Sequence, residues 1–141
     1  MKNKDISNQE KYNTYRNLMK RMDIAKDYGF YFEMCMIAYA LIEDRSSAAL
    51  RHADEKERNS LYYKIIALKK LLDSEDNLFK KAYNVDNFNK INLWRKERNS
   101  LVHSMANMKF DSSKLKEIAE EGYKLSKELS NMVTRYKRLK K

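Results

Sequence analysis

Apolar side chains return every third or fourth residue along most of this 141-residue chain, the spacing of one face of a helix. Ser7 and Glu10 stand at capping-box spacing, and Tyr15, Leu18, Met19, Met22 and Ala25 then mark a first helix that ends near Gly29. The following stretch, FYFEMCMIAYALIEDRSSAAL, runs on to Ala53 and is apolar on nearly every side in its first half, which predicts the central helix of the fold. Glu33, Glu43, Asp44 and Arg45 within it argue against a membrane span. DEKERN at 54–59 reads as a solvated turn, with Asn59 capping a third helix to about Leu72. SEDNLFKKAYN reads as a connector with room for one short turn. Asp86 is then the expected cap of a helix through FNKINLWRKERNSLVHSMAN, and after a break at MKF, Asp111 caps the last helix, from Ser112 to about Leu139. The pattern therefore predicts an all-α bundle of about five helices, four of them long, in a single domain over residues 1–141.

Composition agrees with that reading. The chain has no Pro and two Gly, so tight hairpin turns have almost no raw material. Thirty Lys and Arg against twenty Asp and Glu leave a net charge of +10, a balance that attracts polyanions, nucleic acid foremost and an anionic membrane surface as the alternative. The single Cys35 excludes an intrachain disulfide and a multi-cysteine zinc site. With no signal-peptide pattern and no long uncharged apolar run, the expectation is a soluble cytoplasmic protein without a membrane partner. The basic C-terminal end, RYKRLKK at 135–141, reads either as a frayed, solvated helix end whose cations suit the helix dipole or as a tail that contacts phosphates.

The hexapeptide KERNSL occurs twice, at 56–61 and at 96–101, but its flanks share no pattern, so it is not a repeated fold unit. The first copy lies in a turn and the second inside a helix. There, Trp94, Arg98, Leu101 and Met105 fall on or near one face, which aims the Arg98 guanidinium at the apolar side, where it needs a partner. Arg95, Asn99 and His103 follow at four-residue intervals on an adjoining polar stripe, so a cation, an amide and an imidazole stand within two turns.

The stretch RNSLVH, Arg98 through His103, resembles the Arg-polar-x-x-x-His signature of the HEPN-domain family. The resemblance extends over roughly residues 28 to 136 and implies a compact helical bundle that dimerises. It also implies a metal-independent endoribonuclease of the kind found in toxin–antitoxin, abortive-infection and CRISPR-associated systems. RNA is then the substrate, and an antitoxin protein a possible partner. The chemistry suits the residue types. A 2′-hydroxyl must lose a proton as it attacks its own phosphorus, and His103 is the general acid or base for that step near neutral pH. Arg98 holds the phosphate and its developing charge, and Asn99 orients His103 or donates to substrate. Products with 2′,3′-cyclic phosphate and 5′-hydroxyl ends are expected. Five residues of helix turn through about 140°, so Arg98 and His103 of one chain do not share a face. In the family two motifs meet across a two-fold axis, so a homodimer is expected as what the resemblance implies.

Other residues compete for these roles. Arg45 and His52, seven residues apart on one helix face, form a rival pair. Glu43 or Asp44 is a possible supporting partner of Arg98, or else belongs to a structural charge cluster, and Arg95 is a further supporting candidate. The family subset regulated by modification of a Tyr two residues after the His differs here, since Met105 occupies that place. Without a glycine-rich phosphate loop, a His-x-x-x-His pair or a di-iron carboxylate set, no metal or cofactor is expected. The alternative to the nuclease is a noncatalytic HEPN-like bundle that binds nucleic acid or a partner protein.

Overall fold

The computed structural model describes residues 8–107 and 111–141, and all regular structure among them is helical. In chain order the elements are α1 (Asn8–Tyr28), α2 (Tyr31–His52), α3 (Leu61–Leu71), α4 (Asn77–Ala82), α5 (Val85–Ala106) and α6 (Ser112–Leu139). The proposed cap at Ser7 and the break at 108–110 lie outside the described residues. Among the described residues, no helix is long and apolar enough to cross a membrane.

The long helices fall where the periodicity places them, with α2 at the centre. It packs against α1, α3 and α6, and α6 in turn covers α4 and α5. Met34, Ala38, Leu41, Ile42, Ala49 and Leu50 of α2 are all fully buried, and each of the larger ones stabilises the fold by about 1.5–3 kcal/mol through area removed from water. Met22 and Ala25 bury the inner face of α1. Gly29, at φ +72°, ends that helix: its amide bonds the Lys26 carbonyl, and the Phe30 amide reaches Ala25. This is a left-handed stop that favours glycine.

Two caps differ from expectation. Ser60, not Asn59, caps α3, its hydroxyl accepting from the Tyr63 amide at 3.3 Å. That register makes Leu61 the first helical residue and buries it. Asn84, not Asp86, caps α5, its Oδ1 accepting from the Asn87 amide at 2.8 Å. Asp86 sits in the first turn instead, where a negative charge suits the helix dipole. Asp111 caps α6 as expected.

The expected connector holds a short helix, α4, which raises the number of helices to six among the described residues. Asp76 caps α4 through the Phe79 amide, 2.9 Å from Oδ1, while its other oxygen accepts from the Tyr136 hydroxyl at 2.6 Å. Phe79 meets Tyr83 and Tyr136 at ring-centroid distances of 4.3 and 5.3 Å. A six-residue helix has little stability of its own, so α4 exists because this aromatic cluster holds it against α6. At the basic end 135–141 the helix continues to Leu139, and its five cations are exposed, as a solvated end requires, while the side chains between them dock. Tyr136 is fully buried, and the Lys140 ammonium donates to the His52 carbonyl and lies 3.7 Å from Asp54.

The helices α5 and α6 meet where an indole lies on a glycine. Trp94 is buried against Gly122, and its Nε1 donates to the Ile118 carbonyl at 2.8 Å. A Cβ on Gly122 would stand 2.5 Å from Cζ2 of the indole and 3.1 Å from the Ala38 Cβ. Gly122→Ala should therefore lower stability by about 1–3 kcal/mol from overpacking, although alanine favours a helix interior by about 1 kcal/mol. Urea unfolding followed by circular dichroism measures this, and a gain in stability would mean that the indole has room to shift.

Candidate functional site

Anchored at Trp94 and again at Leu101, α5 presents Arg98 between them on the same inward side. Arg98 is half-buried and reaches α2. Its guanidinium carbon lies 4.3 Å from the Tyr39 ring centroid, Nη2 approaches the Met36 sulfur at 3.3 Å, and Nη1 donates to Asn99 Oδ1 at 3.0 Å. Nε is buried without a hydrogen-bond partner. Among the described residues, no ion pair joins Arg98 to a carboxylate. The expected pairing with Glu43 or Asp44 is thus not formed. Asp44 instead accepts from its neighbour Arg45 at 2.7 Å, and Glu43 lies one turn beyond Tyr39, the turn that Arg98 reaches. An aromatic face and a thioether take the carboxylate's place, attracting the cation without neutralising it.

The polar stripe also separates. Arg95 turns back to Asn92, with Nε and Nη2 at 3.2 and 3.1 Å from Oδ1, and lies 5.1 Å over the Tyr62 ring of α3. His103 is exposed, and among the described residues its ring makes no hydrogen bond. Asn99 joins Arg98, not His103. Within one chain the structure therefore brings together Arg98 and Asn99, and leaves His103 and Arg95 apart from them. Lys96, Glu97, Ser100 and Leu101, from the second KERNSL copy, line a groove of about 390 Å³ against α6. The first copy spans the turn and cap before α3.

Sequence reasoning missed Tyr39, Met36 and Cys35 as neighbours of the guanidinium. The one available signal was their place on α2, a turn apart within a run read as uniformly core. Met36 is 43% exposed and continues outward to Phe32 and Ala40, so that side of α2 forms an uncovered apolar stripe next to Arg98. Cys35 is buried, and burial pushes its thiol up to about 11, against the opposing influence of Arg98.

Arg45 and His52 do share a face, as their spacing requires, and open onto a separate cleft of about 550 Å³ between α1, α2 and α6. Arg45 lies 4.8 Å over the Tyr15 ring. No group of three or more His, Cys, Asp or Glu capable of holding a metal occurs among the described residues. Comparison with protein-family models, curated proteins and solved structures finds no match.

With its pKa near 11, the Cys35 thiol is ionised to roughly one part in a thousand at pH 8, too little for a nucleophile. Native protein should resist alkylation by iodoacetamide at pH 8 and react fully in denaturant. Rapid native labelling, followed by mass spectrometry, would show that α2 opens at this point.

Proposed function

We propose that the chain is a metal-independent endoribonuclease of HEPN type that acts as a homodimer in prokaryotic toxin–antitoxin or anti-phage defence. The observation that carries this reading is the state of Arg98. Among the described residues its charge has no carboxylate to neutralise it and Nε has no partner, and the group sits beside an exposed apolar stripe. A structural arginine at such depth is ordinarily paired. One left with its charge available is suited to a phosphoryl oxygen that gains charge during reaction.

The separation of Arg98 from His103 supports a two-chain site. Pairing of two copies through Phe32, Met36 and the motif face of α5 would cover the apolar stripe and bring each His103 towards the partner's Arg98. His103 then takes the proton from the 2′-hydroxyl or delivers one to the leaving 5′-oxygen, and Arg98 holds the phosphate in line. Asn99 keeps the guanidinium fork in place from one side. RNA and an antitoxin protein are the partners this reading implies. The unanchored ring of His103 favours a second reading, a noncatalytic bundle in which the motif face binds nucleic acid or protein.

The test is cleavage of labelled single-stranded RNA in excess EDTA, with product ends mapped. His103→Ala and Arg98→Ala should each lose about a hundredfold or more of the rate, the usual scale for a general acid or base and for a charge-stabilising donor, while His52→Ala retains it. Mixing the two inactive variants should restore part of the activity, because a mixed dimer keeps one intact Arg98–His103 pair. Failure of the mixture to recover would sink the shared site, and no cleavage by the unaltered chain would favour the binding bundle.

A further inference from the structure

The cleft beside His52 carries its own chemistry. Lys11 comes from α1, Arg45 and Arg51 from α2, and Lys137 from α6, and among the described residues no Asp or Glu lines the cleft. Four cations converging from three helices repel one another, and low-dielectric walls concentrate their field in the space between them. Arg45 is held in place by the Tyr15 ring and by Asp44, which takes Nε and one Nη. Tyr15 is fixed in turn by its hydroxyl, which donates to Ser130 at 2.8 Å. The wall is thus preorganised.

A second, independent observation lies on the same wall. The Nδ1 atom of His52 is buried with no hydrogen-bond partner. Burial, followed by the charges of Lys137, Arg51, Arg45 and Lys140, lowers the pKa of this ring, so every cation near it acts against a further positive charge. Asp54, the acid paired with Lys140, follows the end of α2. Cations that converge on a cleft with a half-buried imidazole in its lining suit an anion that accepts several hydrogen bonds. At the edge stands Tyr12, 54% exposed, with the Arg16 guanidinium 5.7 Å from its ring centroid, an aromatic ring suited to stacking on its remaining face. The volume suits a small organic anion.

We propose that this cleft binds the phosphate of a nucleotide, with Arg45, Arg51, Lys137 and His52 around the phosphate and Tyr12 against the base. The site is distinct from the Arg98–His103 motif and does not depend on the nuclease reading. The nucleotide is either free or part of an RNA strand.

Isothermal titration of the full chain with adenosine 5′-monophosphate, adenosine, and a 2′-O-methyl octanucleotide bearing a 5′-phosphate or a 5′-hydroxyl separates these cases, because the methylated strand cannot be cut. Adenosine 5′-monophosphate should bind at least tenfold more tightly than adenosine. The double variant Arg51→Glu/Lys137→Glu, altered at two exposed positions, should lose at least tenfold. A control with the same change in charge, Lys20→Glu/Lys124→Glu, should stay within twofold. Octamers that bind alike whatever their 5′ end, and more tightly than the mononucleotide, identify a strand phosphate; preference for the mononucleotide identifies a free nucleotide. Equal binding of adenosine and its monophosphate overturns the proposal, as does equal weakening in the control. Cleavage assays on the same double variant keep this outcome separate from the fate of the nuclease reading.

Discussion

The seat of Trp94 on Gly122 is the constraint from which the rest of the arrangement follows. A glycine in the middle of a 28-residue helix costs helical stability, and here it leaves room for an indole to lie directly on the backbone. The hydrogen bond to the Ile118 carbonyl fixes how the ring lies. With the ring fixed, α5 can neither slide nor rotate on α6. Tyr39 of α2 packs beside the indole, its centroid 6.2 Å away. Arg98, one turn further along α5, is carried by the same seat to that tyrosine, and its guanidinium lies over the ring.

The long helices were legible because each buries a continuous face, and burial leaves a period that survives in the residue order. Caps were less so. In Asn59-Ser60-Leu61 either polar side chain can close a helix, and what decides is the burial of Leu61, a tertiary fact. Asn84 and Asp86 offer the same ambiguity. The helix α4 was hidden for a stronger reason. Nothing in SEDNLFKKAYN alone outweighs the cost of starting so short a helix, and the partners that stabilise it, Tyr136 above all, lie some sixty residues away.

The candidate site shows the same division. That Arg98 points inward followed from its spacing with Trp94 and Leu101. Its partner did not, because periodicity along α5 says nothing about which turn of α2 it meets. Glu43 and Asp44 were attractive by charge, whereas Tyr39 and Met36 were within reach. Arg45, Arg51, His52 and Lys137 illustrate the opposite limit: three share one helix, but the fourth is 85 positions after His52, and only the packing of α6 alongside α2, with their C-terminal ends together, brings them to one cleft.

Trp94 is the chain's single tryptophan, and a row of contacts leads from its indole to the Tyr39 ring and on to the Arg98 guanidinium. The molecule thus carries its own optical probe at the motif. A charged phenol-facing group is close enough to alter the electric field at the indole, and any ligand that draws Arg98 off Tyr39 changes that field without moving a helix. The emission colour of the native protein therefore reports on the contact between Arg98 and Tyr39, while the cleft by His52, at the C-terminal end of α2, stays outside its view.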